Sequence, residues 1–293
     1  EKLGGNGPIM ANAMLSLGMG VRYIGGLGNP NIHPVFEEFA RKTNAISISE
    51  PGITTAMEFK DGKVMLGNTL SLEEIDYSRI IGACGEGEFI DLLSKADLIS
   101  IVNWTMIPKM TDFLVELVDK ILPNLPPRDT RSYFFDLADP AKRSSSDIKG
   151  VLEVISRFQA HAEVTLGLNY NEGLQVCDVL GLKSGDKDED SLKKMASEIR
   201  RELGISTIVL HPVESAACAT KDGAWWTTGP FCDNPKITTG AGDHFNAGFC
   251  SARLSGFSPL TSLALATCTS GHYVRTAQSP STSQVIELLK QNS

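Results

Sequence analysis

Short apolar runs alternate with longer amphipathic segments along much of the chain. The apolar runs have the length of buried strands, and the segments between them have the period of helices. Strands are predicted at 98–102, 132–135, 164–168 and 207–210, with helices at 111–122, 147–159 and 192–203. Strands joined by helices of this length lie parallel in one sheet whose faces the helices cover. The pattern therefore predicts an α/β fold with a mostly parallel central sheet.

Two segments depart from this alternation and have the pattern of antiparallel hairpins. Thr54–Lys60 and Lys63–Leu66 flank Asp61-Gly62, a dipeptide that favours a tight hairpin turn. A second hairpin is predicted between residues 216 and 228, around another Asp-Gly turn. We interpret the first hairpin, around residues 52–70, as a small β lid inserted into the α/β scheme.

Length, charge and cysteine content narrow the class of protein. The 293 residues are expected to form one domain, residues 1–293, and because the chain begins at Glu1 without a Met we expect a missing N-terminal segment. The net charge of −8 suits neither nucleic acid nor anionic membrane, so neither partner is expected. No apolar run approaches the ~18–20 residues of a membrane span. Six cysteines without a Cys-x-x-Cys pair favour reduced thiols and a cytoplasmic protein.

A glycine-rich turn leads directly into the helix pattern at 242–254. Gly240, Ala241 and Gly242 place backbone N–H groups at its first turn, where the helix dipole favours an anion such as phosphate. Asp243 lies in the same turn, which is unfavourable beside an anion unless the carboxylate has a task. In phosphoryl transfer that task is to accept the proton of the attacking hydroxyl.

Three motifs resemble those of the ribokinase-like (PfkB) carbohydrate kinase family, and they follow one another along the chain in the same order as in that family. Lys236–Phe249 reads Lys-Ile-Thr-Thr-Gly-Ala-Gly-Asp-His-Phe-Asn-Ala-Gly-Phe, against the family's Asp-Thr-Thr-Gly-Ala-Gly-Asp-Ala-Phe-x-Ala-Gly-Phe. Gly4-Gly5 precedes Leu17-Gly18 at the family's spacing, and Asn169-Tyr-Asn-Glu matches the family's Asn-x-x-Glu. The resemblance extends from Gly4 to about Ser281, nearly the whole chain.

This resemblance implies a three-layer α/β sandwich with a small β lid, and ATP-dependent phosphorylation of a hydroxyl on a sugar or sugar-like molecule. The implied site residues are, for catalysis, Asp243; for the anion hole and nucleotide, Thr239, Gly240, Ala241 and Gly242; for the substrate, Gly4, Gly5, Asn6, Asn103 and Asp136; and for Mg²⁺, Asn169 and Glu172. The last two substrate candidates follow predicted strands, at the sheet edge where ligands of open α/β sheets bind. Relatives also imply a homodimer formed through the lid.

Several positions mark a divergent member of that family. Ile237 replaces an Asp that helps to hold a monovalent cation in relatives, which argues against activation by such a cation and leaves the cation dependence open. The nucleotide-side turn Leu210–Ser215 lacks the usual glycines and gains Pro212. His244 replaces a small residue directly after the candidate base. These departures leave the particular substrate open.

Three other functions are compatible with parts of the sequence. A nucleoside kinase has the same fold and differs at the variable acceptor end. A degenerate kinase that acts as a binding protein would account for the altered nucleotide turn and for Ile237. A dinucleotide-binding dehydrogenase would use the Gly-x-Gly at 26–28 with Glu50 as its ribose-binding acid, but the third glycine is absent and Pro30 interrupts the turn.

Overall fold

The architecture is taken from a computed structural model that describes residues 3–59 and 62–292. In chain order the strands are β1 (Ile24–Gly25), β2 (Ile46–Ser47), β3 (Ile53–Phe59), β4 (Gly62–Asn68), β5 (Leu98–Val102), β6 (Ser132–Asp136), β7 (Glu163–Asn169), β8 (Thr207–His211), β9 (Ser215–Thr220) and β10 (Gly223–Thr228). The helices are α1 (Asn6–Ser16), α2 (Glu37–Thr43), α3 (Tyr77–Cys84), α4 (Glu86–Lys95), α5 (Met110–Glu116), α6 (Ser145–Phe158), α7 (Tyr170–Leu180), α8 (Glu189–Leu203), α9 (Ala241–Leu254), α10 (Pro259–Thr276) and α11 (Thr282–Gln291). Within these residues no helix has both the length and the apolar character needed to cross a membrane.

The central sheet has the strand order β10-β9-β8-β7-β6-β5 in the described part of the chain. Strands β5 to β8 are parallel, as the alternation predicted, and their carboxyl ends therefore meet at one edge. The second predicted hairpin forms β9 and β10, which extend this sheet as antiparallel strands. A mostly parallel sheet thus carries one antiparallel hairpin at its end.

Alternate side chains of each strand face the two helix layers. On β6, Tyr133 and Phe135 point to the layer of α6, α7 and α8, where Phe158 packs against both rings at centroid distances of 5.0 Å. Phe134, between them, points to the opposite layer and packs with Met10 of α1 and Ala247 of α9. The three-layer arrangement is therefore confirmed.

The first predicted hairpin forms where the sequence placed it. Strands β3 and β4 pair antiparallel from Ile53 opposite Asn68 to Phe59 opposite Gly62, and Asp61 of the predicted turn lies outside the described residues. The hairpin forms a two-stranded sheet of its own, separate from the central one. Strands β1 and β2 form a second small sheet, parallel and only two residues long.

Candidate active site

The glycine turn before α9 leaves backbone donors available at the helix N-terminus. Gly240 adopts a left-handed φ of 92°, and a Cβ there would lie 3.2 Å from the Tyr273 hydroxyl. The Ala241 N–H closes the turn on the carbonyl of Thr238 at 3.1 Å. The N–H groups of Gly242 and Asp243 lack partners inside the helix, because the first turn of a helix has no preceding carbonyls to pair with. The turn therefore has the geometry of an anion site.

Asp243 is a buried carboxyl group, 7% exposed, beside these donors. Its Oδ1 accepts a hydrogen bond of 3.1 Å from Asn6 Nδ2, at the start of α1, 237 positions away in the chain. Burial raises the pKa of Asp243 to about 7, the Glu172 charge acts in the same direction, and the Asn6 hydrogen bond opposes both. A group with this pKa exchanges a proton readily near neutral pH. The fold thus brings the candidate base to the Gly4-Gly5-Asn6 segment.

Asp136 lies at the carboxyl end of β6, and each of its two carboxylate oxygens accepts one hydrogen bond. Its Oδ1 accepts from the backbone N–H of Ala138 at 2.8 Å, and its Oδ2 accepts from Asn246 Nδ2 at 2.7 Å. Burial raises the pKa of Asp136, and the negative charges of Glu172 and Asp243 raise it further. Each oxygen keeps a second lone pair, and the assignment of Asp136 as a substrate contact stays a prediction.

The two Mg²⁺ candidates form the capping box of α7. Asn169 Oδ1 accepts from the Glu172 N–H at 3.0 Å, and Glu172 Oε2 accepts from the Asn169 N–H at 2.8 Å. Glu172 Oε1 accepts from the Asp139 N–H at 2.8 Å. Burial raises the pKa of Glu172 despite these donors. The two residues therefore cap α7, and their assignment to Mg²⁺ stays a prediction.

This donor set fits Mg²⁺ held through water. Each oxygen of Glu172 accepts one backbone donor and keeps a second lone pair, and a hydrated Mg²⁺ needs few direct protein ligands. Within residues 3–59 and 62–292 no cluster of three His, Cys, Asp or Glu side chains could hold a metal ion. Bound phosphate and water would therefore have to complete the coordination.

A cavity of about 1400 Å³ runs along the free edge of β5. Gly4, Gly5, Asn6 and Asn103 line it, as does Thr54 of the lid. Asn103 has a left-handed φ of 66°, and its Oδ1 is buried without a hydrogen-bond partner among the described residues. A buried acceptor that lacks a donor is destabilising, and a substrate hydroxyl would satisfy it. Four of the five substrate candidates therefore line one cavity.

The structure adds two residues that the sequence did not indicate. Asn246 lies one helical turn beyond Asp243 and ties α9 to Asp136. His211, at the end of β8, stacks on Phe245 at a centroid distance of 4.6 Å, and its ring lies 3.4 Å from where a Cβ on Gly242 would be. Burial lowers the pKa of His211 to about 4, so its ring is neutral at physiological pH. Asn246 could have been found from the sequence, because a residue three positions after Asp243 lies on the same face of the helix.

Comparison with known proteins decides the class of site. A model of the prokaryotic ketohexokinase family matches residues 1–292 of the chain. The protein belongs to that family. A ketohexokinase of Haloferax volcanii is 28% identical over 281 residues, which cover 95% of this chain and 72% of the relative. The protein is thus a divergent ribokinase-like carbohydrate kinase that depends on ATP, and the dehydrogenase alternative is wrong.

Solved structures of other kinases share the fold of this chain at low sequence identity. A Thermotoga maritima ribokinase aligns with a TM-score of 0.70 and 19% identity over 98% of this chain and 87% of its own. An Arabidopsis thaliana ribokinase, solved with ribose and ATP, aligns with a TM-score of 0.72 and 14% identity over the same shares of 98% and 87%. A Trypanosoma brucei adenosine kinase aligns with a TM-score of 0.72 and 15% identity over 93% and 82%. These similarities confirm the ribokinase fold.

Proposed function

We propose that the protein transfers the γ-phosphoryl group of ATP to a hydroxyl of a ketohexose. The family description and the name of the Haloferax relative support this substrate class. The cavity that contains Gly4, Gly5, Asn6 and Asn103 offers it backbone and amide groups, which suit a molecule rich in hydroxyls. The orphan acceptor on Asn103 is one group that the sugar would satisfy.

Asp243 acts as the general base in this proposal. Asn6 occupies Oδ1 of its carboxylate, which directs Oδ2 to the attacking hydroxyl. A pKa of about 7 makes the carboxylate a stronger proton acceptor than an exposed aspartate, while a large fraction stays ionised near neutral pH. As the oxygen of the sugar bonds to phosphorus, its proton passes to Asp243 and the ADP oxygen leaves.

The turn of Thr239, Gly240, Ala241 and Gly242 supports the transferring group. The unpaired N–H groups at the start of α9 and the positive end of its dipole face the charge that develops on the phosphoryl oxygens. Asn169 and Glu172 would hold Mg²⁺, which supplies positive charge to the phosphates when bound.

The observation that carries the proposal is a buried carboxylate in the same helical turn as the anion site. Asp243→Asn preserves the shape and the Asn6 contact but cannot accept the proton, so turnover should fall by roughly 10²–10⁴-fold while ATP affinity stays similar. ADP release with Mg²⁺, measured on a panel of ketohexoses, aldoses and nucleosides, checks this. Asp222→Asn, the same change on an exposed hairpin residue, is the matched control.

The panel also separates the remaining alternatives. Turnover on nucleosides alone would replace the ketohexose assignment with a nucleoside kinase. Sugar binding without ADP release would identify a binding protein. Wild-type turnover in Asp243→Asn would remove Asp243 from its role.

We also propose that the protein forms a homodimer through its lid. Ile53, Met57, Val64 and Leu66 are each 41–56% exposed, and the β3–β4 register places all four on one face of the hairpin. Thr54, on the opposite face, lines the cavity. The apolar face is therefore turned away from the cavity. The equivalent face of a second copy would cover it.

A cytoplasmic location is part of the same proposal. All six cysteines are free thiols, and five of them are buried. Free thiols are typical of a reducing compartment.

A further inference from the structure

His244 follows the candidate base directly, and its ring contacts the glycine turn on one side and Ser279 on the other. It is 1% exposed and lies between α9 and the segment that joins α10 to α11. A His buried to this degree brings two ring nitrogens that need partners. Both nitrogens have partners, and one of these belongs to the glycine turn.

The two ring nitrogens of His244 have different hydrogen-bonding roles, one as donor and one as acceptor. Its Nδ1 lies 2.7 Å from the Gly240 carbonyl oxygen, which can only accept, so Nδ1 carries the proton. In the neutral ring Nε2 then accepts from the Ser279 hydroxyl at 2.9 Å. Ser279 Oγ in turn accepts from Asn12 Nδ2 at 3.2 Å. A chain of donors therefore extends from α1 to the glycine turn.

The Gly240 carbonyl receives two donors from the same residue. The backbone N–H of His244 reaches it at 3.1 Å, in addition to the ring N–H. The preceding carbonyl, that of Thr239, accepts from the Tyr273 hydroxyl at 3.0 Å. The rings of Tyr273 and His244 stack with centroids 3.6 Å apart and planes 14° from parallel. Two successive carbonyls of the turn thus accept hydrogen bonds from His244 and Tyr273, and the rings of these two residues stack on each other.

This bracing has a consequence for the donors at the start of α9. Fixing the Gly240 carbonyl also fixes the peptide plane that it shares with the Ala241 N–H, which in turn bonds to the Thr238 carbonyl at 3.1 Å. This plane sets the start of the helical turn whose next N–H groups are those of Gly242 and Asp243. Left-handed Gly240 is the most adaptable residue of the turn, since glycine occupies many backbone conformations at little cost. The geometry points to His244 as a positioning residue that locks Gly240 and so orients the Gly242 and Asp243 N–H groups for the transferring phosphoryl group.

The same chain joins the two walls of the site. Helix α1 carries Asn6, which bonds to Asp243, and further along the same helix it carries Asn12, which bonds to Ser279. Base, sugar-side helix and phosphate turn are therefore connected at two separate points. The inference rests on the proposed function, because it assigns the turn to a phosphoryl group.

A pair of substitutions of similar shape isolates the hydrogen bond to Gly240. The amide nitrogen of Asn is as many bonds from Cα as Nδ1 of His, so His244→Asn keeps a donor for the carbonyl. His244→Leu has the same branching and no donor. We expect His244→Leu to lower kcat by roughly 10–100-fold, with the KM of the sugar little changed, because donors out of line stabilise the transition state poorly. His244→Asn should recover most of that loss.

Further measurements distinguish positioning from bulk stability. Thermal unfolding of the two variants should give similar midpoints although their kcat values differ. Ser279→Ala leaves the Nδ1 bond in place and should reduce kcat only a few-fold. Equal losses of kcat in the Asn and Leu variants, or a His244→Leu kcat within twofold of wild type, would overturn the inference.

Binding of ADP with tetrafluoroaluminate, a mimic of the transferring phosphoryl group, gives a readout that needs no turnover. His244→Leu should bind the mimic at least tenfold more weakly than wild type, while binding ADP alone with unchanged affinity. Equal affinities for the mimic would contradict the positioning role. If wild type bound the mimic but phosphorylated no ketohexose, the substrate proposal would fail and the positioning role would be judged on binding.

Discussion

The turn before α9 and the β3–β4 lid differ in how far their polar and apolar groups already have partners. At the turn, the Thr239 and Gly240 carbonyls have side-chain donors and Asp243 is bound by Asn6. At the lid, four large apolar side chains lie exposed on one face of an isolated hairpin. Two-stranded hairpins are only marginally stable alone. The groups proposed for catalysis are thus held in place by the fold, whereas the proposed lid depends on further contacts.

This difference separates the effects of substitutions. If the turn holds the phosphoryl group as proposed, changes there should act on the chemical step, since its donors would serve the transition state. Changes at the lid should act on sugar binding and assembly. The three predictions below test that separation.

The largest effect is expected from filling the anion site. A Cβ on Gly242 would lie 3.4 Å from His211 Cε1, an ordinary contact, so Gly242→Leu is compatible with the fold. The rest of the leucine would occupy the space for the phosphoryl group, and kcat/KM should fall by roughly 10²–10³-fold. Gly82→Leu in α3, where an added Cβ meets nothing, is the control. Steady-state ADP release measures both variants. A Gly242→Leu enzyme with half of the wild-type activity would contradict the role of the turn as the phosphoryl site.

The pH dependence should report the buried base. Only ionised Asp243 accepts a proton, and burial holds its pKa at about 7, so kcat/KM should fall about tenfold per pH unit below that value. Removing the Asn6 donor takes away a contact that lowers this pKa, so Asn6→Ala should move the acidic limb to higher pH. A wild-type profile that is flat between pH 5.5 and 8 would contradict the assignment.

The arrangement of the sheet could be predicted because its signals are local. The apolar runs that became β5 to β8 and the Asp-Gly turns of both hairpins are readable within a few residues. The second hairpin, by contrast, joined the main sheet instead of interrupting it, since pairing of β8 with β9 depends on distant partners. Which strands pair with each other in a sheet cannot be read from a few neighbouring residues, unlike the apolar runs and the Asp-Gly turns.

The candidate site was visible in the sequence only in part, and its residue roles stay predictions. The glycine turn and Asp243 were visible as a motif, and the Asn6 contact was not, because its partner lies 237 positions away. His244 was visible only as a departure from the family pattern. Its proposed positioning role could be inferred only from its contact with Ser279 and from the contact of Ser279 with Asn12, and the fold brings these two residues from other segments.

The smallest effect is expected at the lid, on binding rather than on chemistry. Val64→Lys with Leu66→Lys places two charges on the apolar face and should turn the proposed dimer into a monomer, because burying those charges between two copies is costly. The KM for the sugar should rise about tenfold as the lid loses its support, with kcat within about threefold of wild type. Light scattering and sugar saturation curves measure both quantities. Leu260→Lys, at an apolar residue of α10 that is 45% exposed, is the control. A wild type that is monomeric at every working concentration would refute the dimer, and a fall in kcat as large as that of Gly242→Leu would show that the lid takes part in the chemical step.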